Sequence, residues 1–167
     1  KWLCLQSSID KRIAIKNYSY DYRQLSKVIY RTLLLGGNLL FHLTTMKLNL
    51  TKPLVIFDLE TTGLDISKDR IIQISYIKVM PDGTEKRGNH LVNPERSLPQ
   101  LVVELTSITD EMLADKPTFK QIAATLAHEF EGCDFAGFNS NRFDVPMLAE
   151  EFLRAGQNYD FSRCRLI

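Results

Sequence analysis

The run Val55-Ile56-Phe57-Asp58-Leu59-Glu60-Thr61-Thr62-Gly63 constrains this chain more than any other stretch. Apolar, strand-favouring residues lead straight into an acid, and a second acid follows two places on. Side chains alternate faces along a strand, so Asp58 and Glu60 share one face while Leu59 points into the opposite layer. Two carboxylates side by side at a strand end repel each other unless a cation sits between them. Hard divalent ions, magnesium or manganese, prefer such oxygen donors. Thr61, Thr62 and Gly63 then supply a tight turn with hydroxyls and an uncluttered backbone, suited to a polar substrate. Taken alone, an Asp-x-Glu after an apolar run is more often an ordinary acidic turn. The rest of the chain has to decide.

From Lys52 the elements follow in a regular order. Lys52–Leu59 reads as the first strand, and a polar turn over Asp65–Asp69 leads to a second at Arg70–Val79. Its β-branched residues on both faces suit a central strand. Pro81-Asp82-Gly83 is a hairpin turn, with a third strand returning over Lys86–Val92. Short helical structure is expected between Pro99 and Asp115, with Thr109 capping Asp110–Ala114. Thr118 and Gln121 form a capping box. They open a helix with Phe119, Ile122, Leu126 and Phe130 on one stripe, which Gly132 ends. Phe135–Phe138 is a short strand leading to Asn139. Ser140 or Asn141 then caps a second helix running to Arg154 or Ala155, with Pro146 in its first turn. Tyr159–Ile167 reads as the start of another strand. Three strands with a hairpin, then helix, strand, helix and strand, make a mixed α/β sheet with helices on its faces.

Asp144 is the third acid of interest. Early in a helix a carboxylate is favoured by the helix dipole, and Asp144 could simply complete a cap with Asn141. A strand leading into that helix can equally bring Asp144 beside the strand-end pair, since α/β folds gather sites at one sheet edge.

Phe57-Asp58-Leu59-Glu60-Thr61-Thr62-Gly63, taken with Gly137-Phe138-Asn139-x-x-x-Phe143-Asp144, resembles the DEDD superfamily of 3′–5′ exonucleases. The intervening Leu91-Val-Asn-Pro-Glu95, Ile108-Thr-Asp-Glu-Met-Leu113 and Pro117-Thr-Phe119 are similar to its proofreading branch. The resemblance runs from about Leu54 to Gly156 and implies an RNase H-like fold. It implies hydrolysis of phosphodiester bonds at the 3′ end of DNA or RNA with two magnesium or manganese ions, about 3.5–4 Å apart in such sites. Asp58 corresponds to the metal-bridging carboxylate, Glu60 to the second ligand of the first motif and Asp144 to the acid of the second. Thr61, Thr62 and Gly63 are expected to seat the terminal nucleotide. Leu59, Asn139 and Phe143 complete the substrate-side set. Within it Phe143 is expected to pack behind the acid, and Asn139 to bond its own loop or the substrate. The implied partners are a nucleic-acid 3′ end and a DNA polymerase or other replication subunit.

Two departures from the family pattern stand out. Phe138 replaces a common histidine, and a packing role is expected for it. The third motif, a His or Tyr general base followed by a final Asp, is missing, because His42, His90 and His128 fall in the wrong places. The chain is therefore expected to stop before its last catalytic helix and to be inactive as it stands. Two other readings remain open: a nucleic-acid-binding or polymerase-docking module with a vestigial site, and a haloacid-dehalogenase-like phosphatase. The second fits Glu60 and the Thr-Thr-Gly order poorly.

Charge separates the first 45 residues from the rest of the 167. Residues 1–45 carry seven Lys/Arg against two Asp/Glu, leaving fourteen against eighteen for 46–167. The body is mildly acidic, so no global field attracts a polyanion; metal and local basic groups must hold it. With Met46 as the first methionine, residues 46–167 read as the exonuclease domain. Residues 1–45 read as translated upstream sequence, an amphipathic extension or a basic arm. The apolar run Leu33–Phe41 is too short, and too interrupted by Gly36-Gly37-Asn38, to span a bilayer. Cys4, Cys133 and Cys164 lack metal-ligand spacing and suit reduced thiols of a cytoplasmic protein.

Overall fold

The computed structural model describes residues 49–167, so the expectations for residues 1–45 and for a start at Met46 lie outside the described residues. The apolar run before Asp58 forms strand β1, Leu54–Thr61. It starts two residues later than expected, after Pro53, which has no N–H for a ladder bond. It also ends two residues later, which keeps Glu60 inside the sheet. Antiparallel to it runs β2, Ile71–Val79, and outside that lies β3, Glu85–Leu91. The β2–β3 turn is the expected one, with Gly83 at φ 87° and Thr84 N–H bonded to Asp82 Oδ1 at 2.9 Å.

After β3 come two short helices, α1 (Gln100–Thr106) and α2 (Asp110–Leu113), the second capped by the Thr109 side chain as expected. Helix α3, Phe119–Phe130, opens with the predicted Thr118/Gln121 box. Strand β4, Asp134–Ala136, pairs parallel with β1, giving the order β3-β2-β1-β4. Helix α4, Asp144–Arg154, follows.

The core explains the order. Val55, Phe57 and Leu59 leave one face of β1 and pack with Ile74 and Tyr76 against Phe119, Leu126 and Phe130 of α3 and Met147, Leu148 and Phe152 of α4. Edge-to-face ring pairs join Phe57 to Phe135 at 5.6 Å and Tyr76 to Phe130 at 4.9 Å, a favoured aromatic geometry. A smaller cluster packs Ile72 against Ile108 and Leu113.

Two expectations need correcting. Helix α4 has Phe143 at its N-cap and no side-chain cap, so Asp144 is its first residue instead of completing a box with Asn141. The cause is a separate turn over Asn139–Arg142, in which Arg142 N–H donates to Asn139 O at 3.0 Å. Tyr159–Ile167 is not a full strand. Asp160 caps a 3₁₀ turn at Phe161–Arg163, and a single parallel bridge links Leu166 to Phe135. Tyr159 holds this segment down by donating its hydroxyl to Phe130 O at 2.6 Å.

Candidate active site

Asp58 and Glu60 leave β1 from the face opposite Phe57 and Leu59. They stand in register with Ser75 and Gln73 of β2. Gln73 and Ser75 both donate to Asn89 Oδ1 of β3, at 2.9 and 3.3 Å. At this end of β1 the face is polar through to β3, while its reverse is aromatic core.

A close backbone approach carries Asp144 to the same place. The chain leaves β4 at Gly137, where a Cβ would come within 2.8 Å of Phe57 O and 2.9 Å of Ser140 Cβ, so glycine is required. Asn139 then turns in the left-handed region at φ 53°, which asparagine tolerates. Val145 N–H donates to Ser140 O at 2.8 Å, and α4 begins. Because β4 stops at Ala136, no described strand pairs with that edge of β1 beyond Ile56. There the Leu59 N–H faces the Asp144 carboxylate closely enough to favour its charged form. The first and second motifs thus meet at the Leu59 backbone.

The three acids feel one another. Asp144 is buried, and its pKa is pushed up to about 6, first by loss of hydration, then by the Asp58 charge and to a smaller degree by Glu60; its backbone hydrogen bonds oppose the shift. Glu60 is raised by burial and then by Asp58. The Asp58 side chain keeps solvent access, yet enough protein flanks it to raise its pKa as well. Among the described residues, no Lys, Arg or His forms an ion pair with any of the three. Their donor chemistry, three unpaired carboxylates under mutual repulsion, fits a hard divalent cation. They do not yet form one coordination sphere: among the described residues no group of three His, Cys, Asp or Glu side chains is arranged to hold a metal. Magnesium keeps several waters of its own and needs few protein ligands, which suits such a loose set.

The turn after Glu60 is closed on itself. Thr61 Oγ1 donates to Gly63 O at 2.6 Å. Thr62 is buried, donates to Asp69 Oδ1 at 2.8 Å and accepts from Arg70 N–H at 3.0 Å, so its hydroxyl serves the loop instead of a nucleotide. Gly63 is glycine because Asp69 covers it; a Cβ would lie 2.5 Å from Asp69 Oδ2. Leu59 differs from the substrate-side expectation, whereas Phe143 packs on the core, as expected of it. The Leu59 side chain is core, with only its N–H turned to the site. Asn139 is exposed, and so is Phe138 at 55 %, against the packing role expected for it. His90 stacks on Tyr76 at 6.0 Å, on the sheet face of Leu59 opposite the acids, and His128 lies in the last turn of α3 beside Lys78 and Glu129, at the far end of β1.

Sequence reasoning passed over Glu151 entirely. It is 1 % exposed and bonded by Arg70 and Arg154. An acid seven residues after Asp144, flanked by Leu148 and Phe152 on the buried side of the helix, was the available signal.

Residues 55–163 match the family model RNase_T, described as Exonuclease. DNA polymerase III subunit epsilon of Treponema pallidum (strain Nichols) is 38 % identical over 95 residues, covering 57 % of this chain and 44 % of that protein. DNA polymerase III PolC-type of Oceanobacillus iheyensis is 33 % identical over 100 residues, 60 % of this chain and 7 % of that one. The chain therefore spans less than half of either relative. Among solved structures, E. coli exonuclease I in complex with a dT13 oligonucleotide superposes with a TM-score of 0.61 at 19 % identity, covering 70 % of this chain and 27 % of that one. That likeness concerns the fold, an RNase H-like mixed sheet with helices. By the match over residues 55–163, which include Asp58, Glu60 and Asp144, the chain belongs to the RNase_T exonuclease family.

Proposed function

We propose that this chain carries the acidic half of a metal-dependent 3′–5′ exonuclease acting on DNA. The observation that supports it is the meeting of Asp58, Glu60 and Asp144 at one sheet edge with no described cation to pair them, in a chain of an exonuclease family. Asp58, Glu60 and Asp144 would hold two divalent ions, magnesium or manganese, with Asp58 shared between them. When bound, such ions activate water and stabilise charge on the leaving 3′ oxygen. The chain itself orients the acids: the turn before the helix and the helix start place Asp144, and the β1 register places Asp58 and Glu60. Thr61, Gly63 and the exposed Asn139 border the place for the terminal nucleotide. Family membership removes the ground for the phosphatase reading. The relatives named as polymerase III components suggest a replication setting, with a polymerase as partner and a cytoplasmic location. Among the described residues no helix is long and apolar enough to cross a membrane.

No described histidine stands at the acids, and a general base is typically worth about 10²–10⁴-fold in rate. Slow hydrolysis by residues 1–167 is therefore part of the proposal. The experiment is release of mononucleotides from a single strand labelled at its 3′ end, with manganese and with chelator. We expect slow, manganese-dependent release that Asp58→Asn abolishes. Release that survives both chelator and Asp58→Asn would sink the assignment. Tight binding of the strand without any release would favour a vestigial binding module.

A further inference from the structure

Helix α4 carries a second buried carboxylate, Glu151, two turns beyond Asp144 and about 10 Å along the helix. Arg70 reaches it with two prongs, Nε to Oε1 at 2.6 Å and Nη2 to Oε2 at 3.3 Å. Arg154 adds Nη1 to Oε1 at 3.1 Å. The Arg154 guanidinium also donates to two backbone carbonyls of the loop after β1, Asp69 O at 2.7 Å and Ile66 O at 2.9 Å. That loop is closed internally as well. Thr62 N–H donates to Arg70 O at 2.9 Å, and Asp65 N–H donates to Asp69 Oδ2 at 2.8 Å. The loop begins directly at the end of the strand carrying Asp58 and Glu60, and the helix begins at Asp144. One ion-paired cluster therefore ties together the two elements that bring the acids to the site.

We propose that Glu151, with Arg70 and Arg154, forms a positioning clamp that sets Asp144 against Asp58 and Glu60 for metal binding. The proposal rests on the exonuclease reading above. A cluster of buried ions is a poor source of net stability, because desolvation offsets most of the attraction, and apolar replacement of such a cluster is often neutral or better. Its geometry is another matter. The Arg154 fork fixes Ile66 and Asp69 in direction as well as distance, which an apolar contact would not do. Misplaced supporting groups around metal ligands typically weaken metal binding about 10–100-fold.

That contrast provides the test. Manganese binding to residues 1–167 is followed through the electron paramagnetic resonance of free ion, for the unaltered chain and for the triple replacement Arg70→Met, Glu151→Met, Arg154→Met. Urea melts and amide hydrogen exchange over residues 62–70 accompany it. We expect the triple variant to melt like the parent, to exchange faster over residues 62–70 and to bind manganese at least about tenfold more weakly. Equal manganese affinity in the two proteins overturns the clamp, whatever the exchange shows. Failure of the unaltered chain to bind manganese overturns the exonuclease reading itself, and the parent alone reveals it.

Discussion

Asp144 and Glu151 sit on one helix, both buried, and the protein treats them in opposite ways. Glu151 lies between two guanidiniums and accepts hydrogen bonds on both carboxylate oxygens. Asp144 has backbone N–H groups nearby but no cation among the described residues, faces two more acids and is pushed up to about 6. An acid held by arginine fixes structure. An acid surrounded by other acids stores repulsion that a bound cation can relieve, and such groups cluster at functional sites.

The largest effect should come from breaking the paired side of this contrast. Glu151→Ala removes the buried carboxylate the two guanidiniums share; losing one partner of a buried pair typically costs about 3–5 kcal/mol. The Arg154 pair with Glu150 at 3.0 Å and the Arg70 approach to Glu95 at 4.0 Å place this loss at the low end. Urea unfolding should show that loss. A change below about 1 kcal/mol would mean that Glu150 and Glu95 suffice for the arginines, and the two acids would then not be opposites.

The unpaired side should show itself in the pH dependence of the metal-free protein. The folded-state pKa of Asp144, about 6, lies above its ordinary 3.8. The native state therefore binds this proton more tightly than the unfolded chain does. Stability from this group is complete below the unfolded pKa and is lost as pH rises through 6. At about 1.36 kcal/mol per pKa unit the span is about 2–3 kcal/mol. Melts between pH 4 and pH 7.5 should therefore become less stable upward, and Asp144→Asn should flatten that slope. A parent whose stability rises with pH across this window would contradict the placement of Asp144 among like charges.

The smallest effect sharpens the comparison most. Asp58→Asn removes one repelling charge, so the metal-free melting temperature should stay level or rise, by less than about 1 kcal/mol in stability. The Asp144 slope should shrink at the same time, because the Asp58 charge is one cause of its shift. An unfolded Asp58→Asn would make Asp58 a structural acid.

Much of this was legible in the residues. Period-two alternation put Asp58 and Glu60 on one face of a strand, and the Thr118/Gln121 box marked the start of α3, because both signals are local. Phe138 misled, since nothing in Gly137-Phe138-Asn139 says whether an aromatic ring meets the core or water. The last segment misled for a similar reason. Its strand-like residues are drawn instead into ring contacts, Tyr159 on Phe152 at 5.1 Å and Phe161 on Phe135 at 5.4 Å.

The sequence by itself determined the first three strands with their hairpin and the helical stripe of α3, which depend on neighbours within a few residues; the three acids were candidates through a family resemblance. Only the tertiary structure decided that Asp144 lies within the field of Asp58 and Glu60, that Thr62 serves its loop and that Glu151 links Arg70 to Arg154. The partners Arg70 and Glu151 are 81 residues apart in the chain. Contacts at that separation follow from how the sheet and helices pack, and local periodicity carries no information about them.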